Sequence, residues 1–173
     1  FNIINKFNLD QNLEFTFECN IENINEEKLT FLKKNKVNRL SIGIESFNNK
    51  ILKILNRKNI DFENTKKLID QAKKIGFENI NIDLIYSIEG QTLEDLKKDL
   101  DLFNKLNVEH ISIYSLILEK NTKLYINNYN NVDEELELQM YEYITNFLKN
   151  FKCVTFHLFY ILLFNKYNIS IFI

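Results

Sequence analysis

Four short segments of this chain alternate apolar and polar residues with a period of two, and segments with helical periodicity lie between them. Alternation of this kind, with many β-branched residues, is typical of strands. The predicted strands are residues 13–19, 39–45, 79–86 and 110–118, and the predicted helices are residues 26–36, 48–56, 62–75, 92–106 and 133–148. Strands that alternate with helices at these spacings favour right-handed βαβ units. The sequence therefore predicts an α/β fold with a parallel sheet.

One face of each predicted strand is polar, which is unusual because parallel sheets are generally covered on both faces. The polar residues on these faces are Glu14, Thr16, Glu18, Ser41, Glu45, Asn81, Asp83 and Ser112. A curved or partly closed barrel accounts for them, since its outer face packs on helices while its inner face holds water or a ligand. Glu18, Glu45 and Asp83 lie at or near the carboxyl ends of their strands, where α/β folds place ligands. An antiparallel or half-exposed sheet with one solvated face is the alternative interpretation.

The composition sets bounds on function. The chain has 173 residues, enough for one domain, and its 45% hydrophobic and 27% charged residues are typical of a globular protein. A formal net charge of −2 argues against nucleic acid as the main partner. Cys19 and Cys153 are the two cysteines, too few for a disulfide framework or an all-cysteine metal site. No signal peptide is recognisable, and the absence of an initiator methionine suggests a fragment.

Three stretches carry a family resemblance: residues 38–59 (NRLSIGIESFNNKILKILNRKN), 76–100 (GFENINIDLIYSIEGQTLEDLKKDL) and 110–125 (HISIYSLILEKNTKLY). In order and spacing they resemble the radical S-adenosylmethionine (radical SAM) proteins of the oxygen-independent coproporphyrinogen III oxidase and haem chaperone group. Residues 14–20 (EFTFECN) are similar to the third barrel strand of that group, so the resemblance covers about residues 14–149. The segment YSLILE, followed by T-x-L-Y, favours the haem chaperone branch.

The resemblance implies a partial (β/α)6 radical SAM barrel, truncated at the N-terminus, of which this chain holds strands three to six. It also implies S-adenosylmethionine and a 4Fe–4S cluster as cofactors of the parent family. Glu18 resembles the carboxylate that contacts the cofactor's amino-acid or ribose groups, and Arg57 resembles the cationic partner of its carboxylate. Asp83 resembles a further polar contact in the lumen, and the backbone around Ile117 is similar to the segment that faces the adenine. The resemblance assigns no catalytic residue and no metal ligand in this chain.

Several positions depart from the family pattern. Glu45, also a candidate cofactor-binding residue, stands where the family usually has glutamine, so it accepts hydrogen bonds but cannot donate as an amide does. Ser87 and Glu89 replace an expected glycine and proline, so the loop that they begin is expected to be looser. The cluster motif C-x3-C-x2-C is missing, and strands one and two with it. Cys19, Cys153 and His110 have no partners at metal-ligand spacing, so the chain as written is expected not to hold the cluster.

The last residues form a further departure, because the sequence from 151 to 173 becomes dense in Phe, Ile and Leu. The predicted division is therefore a truncated radical SAM barrel over residues 1–150 and an anomalous apolar tail over residues 151–173. We interpret the tail as translated intron or frameshifted sequence, while a genuine core element and a membrane-associating segment stay open. Its uninterrupted apolar stretch is shorter than the ~20 residues of a membrane span, which argues against a membrane protein.

The sequence predicts a fragment of a radical SAM protein of porphyrin or haem metabolism that resembles oxygen-independent coproporphyrinogen III oxidase. That enzyme class converts coproporphyrinogen III to protoporphyrinogen IX by oxidative decarboxylation. The alternative is a haem-binding chaperone without oxidase activity, whose partners are haem and haem-accepting apo-proteins. A nonfunctional gene-model fragment is the third interpretation, so enzymatic activity of this chain stays open. A cytoplasmic location is expected, with an organelle open if the source is eukaryotic.

Overall fold

A computed structural model describes residues 6, 10, 12–120, 122–149 and 155–162, the last of these as a backbone strand. Its strands are β1 (Thr16–Asn20), β2 (Arg39–Glu45), β3 (Asn79–Tyr86), β4 (His110–Ile117) and β5 (Thr155–Leu162). Its helices are α1 (Glu26–Lys34), α2 (Asn49–Ile54), α3 (Phe62–Ile75), α4 (Leu93–Leu106), α5 (Lys123–Ile126) and α6 (Glu134–Lys149), and a 3-10 turn (Ile21–Asn23) follows β1. The predicted alternation of strands and helices is confirmed.

These five strands form one sheet in the order β1-β2-β3-β4-β5, and all neighbours in it are parallel. The antiparallel alternative is therefore wrong. Each connection moves one strand further in the same direction, and right-handed crossovers then place the longer helices α1, α3, α4 and α6 on one face of the sheet. The other face carries a smaller hydrophobic cluster near the carboxyl ends of the strands, where Ile51 of α2 and Leu124 of α5 pack with Ile85, Tyr114 and Leu116. The predicted α/β fold with a partial barrel is confirmed.

The face that the helices cover forms the main hydrophobic core. Its fully buried strand residues are Leu40, Ile42, Ile44, Ile80, Ile82, Leu84, Ile111 and Ile113. They form one cluster with helix residues that include Leu29 of α1, Ile69 of α3, Leu100 and Phe103 of α4, and Met140 and Ile144 of α6. Burial of one such side chain contributes about 1.5–3 kcal/mol. The core therefore fixes the register of the strands, since a slip by one residue would turn these side chains to the polar face.

The helix ends follow from local hydrogen bonds. Asn25 and Asp61 precede α1 and α3, and the side chain of each accepts a hydrogen bond from a backbone N–H in the first turn. Thr92 precedes α4 and forms a capping box with Asp95. Gly76 ends α3 with a φ of 106°, a left-handed conformation that glycine adopts at little cost. These capping residues explain why sequence patterns located most helix boundaries to within two residues.

The start of β1 and the strand β5 differ from the sequence-based expectation, and α5 and the 3-10 turn lie outside the predicted elements. β1 begins at Thr16, not at residue 13, because the side chain of Asn38 accepts from Phe15 N and donates to Leu13 O, both at 2.7 Å. The backbone N–H groups of Asn38 and Arg39 also donate to Phe15 O, at 3.0 and 3.2 Å. β5 was not predicted, and its backbone runs parallel to β4 from residue 155 to residue 162. Side chains there, and Cys153, lie outside the described part.

The interpretation of residues 151–173 as an anomalous tail, and the division at residue 150, stay predictions. In the ranges that the structure describes, no helix has the length and apolar character needed to cross a membrane.

Candidate functional site

A ladder of polar side chains crosses the face of the sheet opposite the main hydrophobic core. Asn81 of β3 donates to Ser41 Oγ at 2.9 Å and to Asp83 Oδ1 at 2.8 Å, and its Oδ1 accepts from Ser112 Oγ at 3.0 Å. Ser41, Asn81 and Ser112 are buried. Because buried polar groups need hydrogen-bond partners, the ladder holds β2, β3 and β4 together by satisfying these groups internally.

Asp83 extends the ladder towards the carboxyl ends of the strands. It lies in register with Gly43 of β2 and Ser112 of β4. Burial raises the pKa of Asp83 to about 6, and the charge of Glu18 adds to the increase, whereas hydrogen bonds from Asn81 and Ser112 oppose it. Glu18 itself is exposed on β1. The charge of Glu18 on β1 therefore affects the protonation of Asp83 on β3.

Glu45 ends β2 in an unusual backbone conformation. Its φ is 65°, and the register with β3 shifts between Gly43 and Glu45, as in a β-bulge that redirects a side chain. Oε1 accepts a hydrogen bond from Arg57, while Oε2 is buried and has no hydrogen-bond partner among the described residues. Burial raises the pKa of Glu45 to about 7, and Arg57 opposes this shift. A buried oxygen without a partner is costly, which marks this position as a place where a ligand can donate.

Arg57 follows α2, and its guanidinium group contacts two carboxylates. Nε and Nη2 donate to Oε1 and Oε2 of Glu22 at 3.2 and 2.9 Å, and Nη1 donates to Glu45. Nη2 also donates to the carbonyl oxygen of Gly43 at 3.2 Å. The structure thus brings Glu45 and Arg57 into direct contact, as members of one ion-pair cluster with Glu22. Bidentate pairing of this kind is the strongest geometry for a guanidinium and a carboxylate.

The remaining candidate, Ile117, is the last residue of β4 and is partly buried. Like Glu45, it lies at the carboxyl end of a parallel strand, and β3 separates the two strands. Glu22 was missed by the sequence analysis, because 35 residues separate it from Arg57 and its short turn has no periodic pattern. Its one available signal was its place directly after β1, at the carboxyl end of a parallel strand.

Residues 2–103 match the sequence profile of the Radical SAM superfamily. The chain belongs to this superfamily. The matched range includes Glu18, Glu45, Arg57 and Asp83, while Ile117 lies beyond it.

Curated relatives support the more specific resemblance to the oxidase and chaperone group. The heme chaperone HemW of Lactococcus lactis is 39% identical over 140 residues, which are 78% of this chain and 36% of the relative. HemW of Bacillus subtilis is 38% identical over 65% of this chain and 29% of its own length. The oxygen-independent coproporphyrinogen III oxidase of Salmonella typhimurium is 32% identical over 63% of this chain and 24% of its own length. The expected resemblance is confirmed, and the chain spans about a third or less of these relatives.

Solved structures give the same fold, and one of them belongs to the oxidase group. The radical SAM enzyme coproporphyrinogen III oxidase (HemN) of Escherichia coli superposes with a TM-score of 0.77 and 25% identity, covering 85% of this chain and 34% of that chain. The archaeal Elp3 of Methanocaldococcus infernus, at 19% identity, has a TM-score of 0.67 over 84% of this chain and 34% of its own. The second likeness shows the fold alone.

The described residues fit S-adenosylmethionine better than an iron–sulfur cluster. Glu18, Asp83 and the unpaired Oε2 of Glu45 are acceptors suited to hydroxyl and ammonium groups. Iron–sulfur clusters, by contrast, are held by several thiolates. Cys19 packs against the hydrophobic core, and burial raises the pKa of its thiol to about 12. The described ranges contain no group of three or more His, Cys, Asp or Glu side chains arranged to hold a metal ion.

Proposed function

We propose that this chain supplies one wall of the S-adenosylmethionine site of a radical SAM protein of haem metabolism, of the haem chaperone branch. The observation that carries the proposal is the buried, unpaired Oε2 of Glu45 at the carboxyl end of β2. Glu18 and Asp83 lie on the neighbouring strands β1 and β3. A buried acceptor at the carboxyl ends of parallel strands is where a ligand's hydroxyl or ammonium group gains most from binding.

Each candidate residue has a role in this proposal. Glu18 and Asp83 accept hydrogen bonds from the ribose hydroxyl or ammonium groups of the cofactor, and Glu45 accepts through Oε2. Arg57 pairs with the cofactor's carboxylate, and the strand end at Ile117 packs against the adenine. Glu45 and Arg57 support these roles because their contact brings both side chains to the carboxyl end of β2. Glu18 and Asp83 support them because the charge of Glu18 adds to the raised pKa of Asp83, which indicates that the two carboxyl groups face the same region.

The choice of the chaperone branch is supported by sequence identity. The two HemW relatives are 39% and 38% identical to this chain, whereas the oxidase of Salmonella typhimurium is 32% identical. The YSLILE segment of β4 and the residues after it point the same way. A cytoplasmic location, haem as ligand and haem-accepting apo-proteins as partners are parts of the same proposal.

Calorimetric titration of the 173-residue chain with S-adenosylhomocysteine tests the cofactor site. We expect measurable binding, and we expect Asp83→Ala to weaken it about tenfold, because one hydrogen bond to a charged group contributes about 1.5–3 kcal/mol. The matched control is Asp101→Ala, which removes an exposed carboxylate from α4. No binding by the unaltered chain, or equal binding by the Asp83→Ala variant, would contradict the proposed site.

A coproporphyrinogen oxidase is the second candidate function, and the structural likeness to HemN of Escherichia coli favours it. Absorbance titrations with haem and with coproporphyrinogen III separate the two branches. Haem binding with a Kd of about 1 µM or lower, together with weaker binding of coproporphyrinogen, supports the chaperone branch. The opposite preference supports the oxidase branch, and binding of neither ligand contradicts both.

A further inference from the structure

The guanidinium group of Arg57 is nearly saturated by this chain's own acceptors. An arginine has five N–H donors. Hydrogen bonds to Glu22, Glu45 and the Gly43 carbonyl occupy four of them: Nε, one on Nη1 and both on Nη2. Neither edge of the guanidinium keeps two free donors for an incoming carboxylate. A ligand's carboxylate can pair with Arg57 in bidentate geometry only if one of the two glutamates leaves.

Glu22 is the partner that can leave. Its side chain is 21% exposed, against 14% for Glu45, and it lies on a 3-10 turn of three residues. Glu45, in contrast, is fixed by the sheet at the end of β2. A short surface turn moves at lower cost than the end of a strand with paired neighbours on both sides.

We infer that Glu22 determines the specificity of the Arg57 site: it occupies the guanidinium edge that a ligand's carboxylate needs, so such a ligand binds by displacing it. This inference rests on the proposed S-adenosylmethionine site. It assigns Glu22 a role as an internal competitor, with the same functional group as the ligand's amino-acid end. Removing Glu22 therefore strengthens binding of adenosyl ligands that carry a carboxylate and leaves those without one unchanged.

The charges of the cluster support the same conclusion. Glu22 and Glu45 place two carboxyl groups around one guanidinium. Adding a third carboxylate without displacing one of these would set like charges against each other around a single cation, which is unfavourable. Exchange of Glu22 for the ligand's carboxylate keeps the number of charges at Arg57 unchanged. Displacement of Glu22 by the ligand's carboxylate is therefore less unfavourable than binding of a third carboxylate beside it.

Two measurements on the full chain test the role of Glu22. The first compares the binding of S-adenosylhomocysteine, which has a carboxylate, with that of 5′-methylthioadenosine, which lacks one, in the unaltered chain and in Glu22→Gln. We expect the variant to bind S-adenosylhomocysteine up to about fivefold more tightly, the gain from losing one partly exposed competing ion pair. We expect the affinity for 5′-methylthioadenosine to stay the same.

The second measurement needs no ligand. Arg39 and Arg57 are the two arginines of the chain, so phenylglyoxal modification followed by peptide mass spectrometry reports each separately. Glu22→Gln is expected to speed the modification of Arg57 relative to Arg39. The matched control is Glu14→Gln, which removes the exposed partner 3.9 Å from Arg39 and leaves Arg57 unaffected.

The outcomes separate this inference from the proposed function. Equal or weaker binding of S-adenosylhomocysteine by Glu22→Gln, with 5′-methylthioadenosine still bound, overturns the inference and leaves the proposed site standing. Such a result would make Glu22 a residue that only orients Arg57. Binding of neither ligand by either protein overturns the proposed site, and the inference with it. Tighter binding of S-adenosylhomocysteine alone, with faster modification of Arg57, supports both.

Discussion

Ser46, directly after β2, donates its hydroxyl hydrogen to Oδ2 of Asp99 on α4 over 2.5 Å. The backbone N–H of Phe47 donates to the other oxygen of Asp99 at 2.8 Å. Ser46 and Asp99 are 0% and 2% exposed, so a carboxyl group in the core links the end of a strand to a helix. Burial raises the pKa of Asp99 to about 6, although both hydrogen bonds oppose the shift.

Stability is therefore expected to depend on the protonation of Asp99. Its pKa rises from the ordinary aspartate value of 3.8 to about 6 in the folded chain, so the folded state binds the proton more tightly. This contribution is present below pH 3.8 and is lost as the pH rises through about 6. Between pH 7 and pH 4.5 it amounts to about 2 kcal/mol of unfolding free energy. In Asp99→Asn, the unfolding free energy is therefore expected to rise by about 2 kcal/mol less than in the unaltered chain when the pH is lowered from 7 to 4.5.

Urea unfolding of both proteins at the two pH values measures the difference. Asp101→Asn, an exposed position on the same helix, serves as the control and is expected to behave as the unaltered chain does. Glu45 and Asp83 also have raised pKa values, so the Asp99→Asn chain still gains some stability at low pH. An identical pH dependence in Asp99→Asn and in the unaltered chain would show that Asp99 does not titrate in this range.

Ser87→Gly is expected to stabilise the chain. Ser87 has a φ of 65°, a conformation that favours glycine, and its buried hydroxyl has no hydrogen-bond partner among the described residues. Relief of backbone strain and removal of an unsatisfied polar group are each expected to contribute about 1 kcal/mol. The change is measured as the free energy of unfolding in urea at pH 7.

The reciprocal change at Gly90 provides the comparison. Gly90 has a φ of 77°, and a Cβ there would meet nothing within 4 Å, so Gly90→Ala tests backbone strain alone. It is expected to lower stability by about 1 kcal/mol. A destabilising Ser87→Gly would mean that the hydroxyl group has a function that outweighs the strain. The sequence-based expectation of a looser loop after β3 stays a prediction. Within this loop, Glu89 accepts a hydrogen bond from Asn130 N at 2.6 Å.

Asn81→Ala is expected to raise the pKa of Asp83 above its present value of about 6. The amide of Asn81 donates to the Asp83 carboxylate, and this bond is the largest of the effects that lower that pKa. Loss of the amide also removes its hydrogen bonds with Ser41 and Ser112, which costs about 1–3 kcal/mol of unfolding free energy. Carboxyl carbon NMR titration of Asp83 reports the pKa. Asn104→Ala, at an exposed position on α4, is the control, and an unchanged titration in Asn81→Ala would contradict the ladder.

The fold was more accessible from sequence than the site. The alternation of Leu40, Ile42 and Ile44 with polar residues is a local signal, and it correctly placed β2 with one apolar and one polar face. The site depends on contacts between distant segments. Glu22 meets Arg57 only because β1 and β2 are neighbours in the sheet, and Asp99 meets Ser46 across 53 residues. No periodic pattern encodes such pairs, since side-chain direction at a bulge or a 3-10 turn is set by the folded neighbours.

Gly43→Ala is expected to separate Glu45 from Arg57. A Cβ at position 43 would lie 3.1 Å from Asn20 Oδ1 and 3.1 Å from Glu45 Oε1, closer than ordinary van der Waals contact. The side chains of Asn20 and Glu45 therefore have to shift by a few tenths of an ångström, at a cost of about 1–3 kcal/mol in unfolding free energy. Because Arg57 lowers the pKa of Glu45, its displacement is expected to raise that pKa above about 7.

Carboxyl carbon NMR titration of Glu45 and urea unfolding together measure both effects of Gly43→Ala. Gly90→Ala is again the control, because it adds the same methyl group where no atom lies within 4 Å. It is expected to change stability without changing the pKa of Glu45. A loss of stability in Gly43→Ala with an unchanged pKa of Glu45 would contradict this prediction. It would mean that Asn20 moves instead, and that the contact between Glu45 and Arg57 does not require glycine at position 43.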